Sequence, residues 1–480
     1  MNCVSVWVAP SLCFSSTAFF FLIIMSTVIA PAAFDQTALE SLCALDPPWV
    51  ADRRRAAFER FQSLSLPDRS DENWMRTELR LFKRSAWGPS VQPGPEAVEH
   101  EGILARNTKS FSEKFLSPEA ELSEPMRLAG QIVTLNGHLR RSRCDQLVAS
   151  RGVLFGTPEQ VMAVAAESEI RPHWFNAIDS GADMFAAMHA AFHRGGAIVF
   201  IPDGVRLEQP LHLLSCLTEG GTDLGHVLVV LGKGAEATVI TETAGGGAAG
   251  SGPGGLHCGG IELIVGENAS LRMVNIQNWN TGVWHFARQK AKVYSGGKLQ
   301  WTLAALGSRL SQVAQDVALV GVGAHAQVNG VMFTEGRQQL IYNTLQHHEA
   351  ASCISDLLYK GALQDRSRLV WRGMIKVDKS AQKTNGYQRS DTLMLSEHAR
   401  SDSIPGLEIE ADDVRCTHGA TSGRVDREQI FYAQCRGLSA DEAARLVVAG
   451  FFQQVFDRIT IAPVREALAE AISERIRRIQ

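Results

Sequence analysis

Four glycine-led segments in the middle of the chain restrict its architecture more than any other feature. Gly234-Ala235-Glu236-Ala237-Thr238-Val239, Gly266-Glu267-Asn268-Ala269-Ser270-Leu271, Gly296-Gly297-Lys298-Leu299-Gln300-Trp301 and Gly323-Ala324-His325-Ala326-Gln327-Val328 each open on a glycine turn and continue as small residues alternating with branched ones. Their starts lie 32, 30 and 27 residues apart, so each interval has room for more than one short strand with its turns. A drifting interval fits a solenoid with loops of variable length better than a propeller with fixed blades. In such a solenoid no rung buries its inner face alone, so rungs stack, inward and outward positions alternate, and glycine permits tight corners. The pattern predicts a mainly β chain built on a right-handed parallel β-helix, with its core over residues 126–425.

Both flanks of that core read differently. From Asp35 to about Arg84, Trp49, Phe58, Phe61 and Leu64 recur at helical spacing, and Ser70-Asp71-Glu72-Asn73-Trp74 after Pro67 opens a second helix with a capping residue and early acids. Residues 88–125, rich in Pro, Ser and Glu, form a connector, so 25–125 is a helical N-terminal domain with its linker. A further helical stretch is predicted between about 160 and 196, with Phe185, Met188, His189 and Phe192 on one core-facing stripe. Strands follow at 195–204 and 210–213, and Arg366 to Val377 reads as another strand pair. The patch from Gly245 to Gly255 lacks the Lys-Ser/Thr ending of a phosphate-binding loop and is read as a flexible insertion. Beyond Asp426 the period is helical again: Ser439 caps one helix and Pro463 starts a second, giving a two-helix C-terminal domain over 426–480.

A charged fraction of 20% and a formal net charge of -4 give no electrostatic bias toward nucleic acid or an anionic membrane. The nine cysteines are scattered, with no CxxC pair, and their odd number in a large chain points to a reducing compartment, the cytoplasm by default. Phe14 to Ile24 is an apolar run followed by Ala30-Pro31-Ala32-Ala33, as in an export signal. No Lys or Arg precedes it, however, and it is shorter than a membrane span. Residues 1–24 are therefore read as an over-extended start or weak signal-like segment, with translation beginning at Met25.

Cys416 and His418 lie two apart, which on a strand turns both side chains to one face. A thiolate and an imidazole there suit a soft or borderline metal, or a Cys/His nucleophile pair. The plain alternative is a small core thiol beside a hydrogen-bonded turn histidine. Two ligands are too few for a structural zinc site, so any metal held here needs further donors. His347-His348-Glu349 places neighbouring imidazoles on opposite strand faces and reads as surface strand. Asp412-Asp413 reads as a solvated turn rather than a carboxylate pair. Trp74 and its acids fit a capped helix docking an indole into the core.

These segments together resemble the SufB/SufD family of iron–sulfur cluster assembly proteins, and within it the SufD branch. The resemblance covers most of residues 35–475, is strongest over 359–460, and rests on Asp71-Glu72-Asn73-Trp74, Lys360-Gly361-Ala362, Ser380-Ala381-Gln382-Lys383-Thr384, Ala411-Asp412-Asp413-Val414, Cys416-Thr417-His418-Gly419-Ala420-Thr421 and Phe431-Tyr432 with Arg436-Gly437-Leu438. It implies a non-enzymatic scaffold that pairs with a SufB-like subunit and docks a SufC-like ABC ATPase through its C-terminal helices. It also implies an iron–sulfur cluster or iron held transiently at His418, with Cys416 as a lesser ligand, and shared with the partner. ATP hydrolysis would belong to the ATPase, and no Walker motif occurs in this chain. A SufB-like chain is expected to carry a cysteine near Gln388-Arg389-Ser390-Asp391 and a glutamate where Gly419 stands, so both absences point to SufD. Whether the chain forms a homodimer when alone, through the same sheet edge, is left open by the sequence. The competing reading is a β-helix polysaccharide lyase or hydrolase, whose exposed aromatics sit uneasily with only 5 tyrosines.

Overall fold

The computed structural model describes residues 33–94, 97, 100–104, 126–250 and 252–476. The Phe14–Ile24 run, Met25 and most of the 88–125 connector lie outside the described residues.

Two ten-stranded sheets face each other and share one interior. The first runs β2 (His138–Cys144), β1 (Gly130–Leu135), β5 (Leu211–Leu217), β8 (Glu236–Gly245), β10 (Ser270–Gln277), β12 (Lys298–Ala305), β14 (His325–Thr334), β16 (Ile354–Leu363), β18 (Thr384–Met394) and β20 (Val414–Arg424). The second runs from β19 (Arg400–Ile409) through β17 (Arg368–Val377), β15 (Gln339–His348), β13 (Leu310–Leu319), β11 (Val283–Val293), β9 (Gly255–Val265) and β7 (His226–Leu231) to β4 (Gly196–Ile201) and β3 (Leu154–Gly156), with β6 (Thr222–Asp223) beside β9. From β7 onward the chain alternates between the sheets and pairs in parallel with the strand one rung back, which defines a β-solenoid. The stretch 366–377 contributes one ten-residue strand, β17, and not the expected pair.

Inward positions stack in register. Trp301, Tyr342, Tyr359 and Trp371 are fully buried between the sheets, among Val, Leu and Ala from neighbouring rungs. Burying such side chains drives the stacking, at roughly 1.5–3 kcal/mol for each large apolar group.

The corner geometry revises the meaning of the glycine repeat. A left-handed residue stands one or two positions before each first-sheet strand from β8 to β18: Gly234, Asn268, Gly296, Gly323, Ser352 and Lys383. Each donates its N–H to a carbonyl of the next corner, from Gly234 to Glu267 at 2.8 Å through to Lys383 to Asp413 at 2.6 Å. Gly266 is therefore not a corner of this kind. Asn268 takes the left-handed role, which asparagine tolerates through local hydrogen bonding of its side chain. Ser352 and Lys383 continue the series with no glycine to mark them.

At the N-terminal side, α1 (Gln36–Cys43) is capped by Asp35, whose carboxylate accepts from Ala38 N at 2.9 Å, and α2 (Pro48–Ser63) begins on a proline. The segment 70–79 is not the expected helix but a series of turns. Asp68 accepts from Ser70 N at 2.7 Å and Asp71 from Asn73 N at 2.8 Å, so these acids close local turns instead of capping a helix. Sheet side chains then engage the turn: Gln312 Nε2 donates to Asn73 O at 2.9 Å and Arg368 to Arg76 O at 3.1 Å. Trp74 does dock into the core, stacked on Phe185 with ring centroids 5.2 Å apart.

Three short helices, α3 (Gln146–Ala149), α4 (Pro158–Met162) and α5 (Glu167–Ile170), precede α6 (Met184–Phe192). The single helical stretch predicted for 160–196 is thus broken, by Pro172 and by the Asp179-Ser180-Gly181 turn. Every residue of α6 is buried, including the predicted stripe of Phe185, Met188, His189 and Phe192.

The C-terminal region holds three helices, α7 (Arg427–Cys435), α8 (Ala440–Phe456) and α9 (Ala462–Arg475), one more than the two expected. Ser439 and Glu442 form the capping box of α8, and Pro463 lies in the first turn of α9. Phe452, Val455, Leu468 and Ile472 cover Ile240, Val274, Val331 and Leu358 on the outer face of the first sheet. Among the described residues no helix is long and apolar enough to cross a membrane.

Candidate functional site

β20 ends the first sheet. It pairs with β18 on one side, and among the described residues nothing pairs with its other edge. β19 ends the second sheet in the same way, beside β17. The last rung therefore presents two rows of backbone N–H and C=O groups toward solvent, and most of its side chains are exposed or half-buried.

Cys416 and His418 both lie on this rung. Register places Cys416 on Gly386 and His418 on Gln388. Gln388 is fully buried and sends its amide across the interior to the carbonyls of Gly373, at 3.4 Å, and Gly406, at 2.9 Å. Positions 416 and 418 thus continue an inward-facing row to the open end of the solenoid. Cys416 is half-buried against Ile375, Val377, Ala381 and Ala411. Burial raises its thiol above the ordinary value, partly countered by a backbone hydrogen bond at Gly386. The thiol is consequently protonated at neutral pH and would have to lose that proton to bind a metal. His418 is exposed.

The other candidates separate. His347 faces outward, with Nε2 2.9 Å from Asp378 and Nδ1 3.2 Å from Glu349. His348 is buried on the opposite face, its Nε2 2.8 Å from Ser355 Oγ. Asp412 and Asp413 are exposed. Among the described residues no group of three or more His, Cys, Asp and Glu side chains lies close enough to hold a metal ion.

Two features escaped the sequence reading. A cavity of about 290 Å³ lies under the Asn73–Trp74 turn on the second sheet, with Phe286, Arg288, Asp316 and His189 in its wall. In the first sheet, Lys360 pairs with Asp391 at 3.4 Å, with both side chains buried. The alternation of β16 and β18 gives the facing of each residue, but only the rung register brings these two together.

Comparison with known proteins matches residues 216–451 to the family model described as "SUF system FeS cluster assembly, SufBD core domain". Similar curated proteins include the iron–sulfur cluster assembly SufBD family protein of Staphylococcus aureus strain USA300, 25% identical over 418 residues and 85% of each chain. Another is its counterpart in Staphylococcus saprophyticus, 24% identical over 410 residues and again 85% of each chain. The matched span runs from within β5 into α8 and takes in both candidate ligands.

Proposed function

Because the chain belongs to the SufBD family of iron–sulfur cluster assembly proteins, we propose that it is a SufD-type, non-catalytic scaffold that completes an iron site with a SufB-like partner. The observation carrying this reading is the place of His418, exposed on a terminal strand whose outer edge is unpaired among the described residues. Such an edge is a template for a strand of another chain. An imidazole nitrogen at the junction offers iron one ligand, and the partner supplies the sulfur chemistry. Iron and sulfide are cargo in this scheme. Cys416 is the secondary ligand, and its contribution weakens as pH falls because its thiol must ionise first.

The C-terminal helices are the proposed dock for a SufC-like ABC ATPase, in the cytoplasm. Exposed Phe431 and Tyr432 on α7 and Leu446 on α8 support that assignment, since large apolar groups on a helical surface favour a protein partner. The test is to tag this chain, coexpress it with the products of neighbouring genes, and identify what copurifies while recording cluster absorbance. Both partners are expected with the unaltered chain. His418→Ala should retain them and lower the cluster signal at least about tenfold, a loss of about 1.4 kcal/mol or more in effective affinity. Undiminished assembly by His418→Ala, or purification without either partner, sinks the reading. Depolymerisation of an acidic polysaccharide would favour the lyase alternative instead.

A further inference from the structure

One outward column of the first sheet changes character along its length. Ala304, Val331, Lys360, Asp391 and Thr421 occupy matching positions on β12, β14, β16, β18 and β20. Ala304 and Val331 are buried in the apolar layer beneath the C-terminal helices. The column then turns polar: the Lys360 and Asp391 side chains stay buried, at 9% and 4% exposed, and only Thr421 at the edge is exposed. The Lys360 ammonium lies 4.6 Å from the ring centre of Phe451 on α8. Asp391 accepts in addition from Arg389 Nε at 2.9 Å and from the Thr421 hydroxyl. Thr392 Oγ1 donates to the Thr421 carbonyl at 3.3 Å, so Thr421 is tied to β18 through both its side chain and its backbone.

A buried lysine–aspartate pair is a poor device for stability alone, because desolvating both charges offsets most of their attraction and an apolar pair would pack as well. What this pair has that an apolar pair lacks is direction. Burial pushes the Asp391 carboxyl up, yet the Thr421 hydroxyl, Arg389 and Lys360 outweigh burial and hold it below its ordinary value. The carboxylate is therefore charged and depends on partners from β16 and β20 at once.

We propose that Lys360, Asp391 and Thr421 are positioning residues that set the seat of the edge strand β20, and with it Cys416 and His418, according to the seat of helix α8. When Phe451 rests on the ammonium, Lys360 stays buried, Asp391 is neutralised and Thr421 is held. When α8 shifts, the ammonium loses the ring and its shelter. Asp391 must then find another partner or draw in water, and the side-chain tie on β20 loosens. β20 is the element to respond, because it alone in this column has a neighbour on one side only among the described residues. The inference deepens the scaffold reading and rests on it only for the use to which Cys416 and His418 are put.

The test uses the full chain alone, with no partner and no cluster. Iodoacetamide labelling of Cys416, read by peptide mass, and hydrogen exchange of the β20 amides are followed in Phe451→Ala, Lys360→Met and Thr421→Val. Thr421→Ser serves as the rescue, and Thr417→Val is the control on the same strand outside the column. Phe451→Ala, Lys360→Met and Thr421→Val should each speed Cys416 labelling and β20 exchange about fivefold or more. Thr421→Ser should restore both, and Thr417→Val should leave both unchanged. Exchange in β10 must stay constant, which separates a local effect from general unfolding. If Phe451→Ala disturbs the fold as a whole, Lys360→Met decides, since it keeps the side-chain volume and removes only the charge. Unchanged labelling and exchange in Lys360→Met overturn the proposal. If labelling responds as described while His418→Ala still supports cluster assembly, the scaffold reading falls and the positioning role stands; the reverse pattern leaves the scaffold reading without this control.

Discussion

His189, His193 and His285 are buried and His257 is half-buried, and desolvation holds all four imidazoles below the ordinary value of 6.5, His257 at about 3. His257 and His285 stack on one another inside the solenoid at 4.6 Å, and His285 Nδ1 accepts from Trp279 Nε1 at 3.2 Å. A histidine with a depressed folded value takes up its proton more readily when unfolded. Its neutral form therefore favours the fold above pH 6.5, and stability falls as pH drops below that point. At one unit below, each such group costs on the order of 1 kcal/mol. Asp223 acts the other way: burial raises its carboxyl to about 7, so protonation of the folded state on acidification returns on the order of 2 kcal/mol. His138 and His348, which burial holds at about 4, act in the same sense as the four, and together the histidines outweigh it. Urea unfolding at pH 7.5 and at pH 5.5 should show a net loss on the order of 3 kcal/mol at the lower pH, and equal or greater stability at pH 5.5 would refute this balance.

The Asn73–Trp74 turn behaves as a strap across the second sheet. Arg372 holds it twice, through Glu72 at 2.6 Å and Asn73 Oδ1 at 2.8 Å, while Gln312 reaches both Asn73 O and Thr77 Oγ1. Trp74 inserts between these polar ties and meets Phe185 and Phe286, so one indole joins α6 to β11. Trp74→Ala should destabilise the chain by about 3–5 kcal/mol, the usual cost of removing a buried aromatic, whereas Arg372→Ala should cost about 1 kcal/mol or less because Glu72 is largely exposed. Denaturant midpoints of the two variants check the order; a larger loss for Arg372→Ala would mean that the ion pair, not the indole, anchors the strap. The predicted helix failed here for a definite reason. Asp68 and Asp71 can close a turn over two residues as readily as cap a helix, and sequence spacing does not say which donor each will meet.

At the scale of the molecule, the C-terminal helices serve the solenoid as a cover. Ile240, Val274, Ile276, Val331, Phe333 and Leu358 face outward from the first sheet and are buried beneath α8 and α9, with Ile103, Leu104 and Met126 packed into the same layer. A chain ending at Arg424 should expose this strip, bind a hydrophobic dye such as ANS strongly, and self-associate in size-exclusion chromatography. A monomeric, dye-silent truncated chain would show that the helices are dispensable to the core.

The sequence by itself determined that rungs exist and that helices flank them, because alternation and glycine punctuation are local properties and persist wherever the strand packs. It also determined that positions 416 and 418 share a face, by the two-residue period of a strand. Tertiary structure alone decided which residue turns each corner, since Asn268, Ser352 and Lys383 take the left-handed role under the pull of carbonyls from the next corner. It alone decided that Cys416 and His418 fall on the last rung, and that Lys360, Asp391 and Thr421, about thirty residues apart in the chain, form one column. Register between rungs depends on the length of every intervening loop and on the packing of the whole interior. No window of the sequence contains that information.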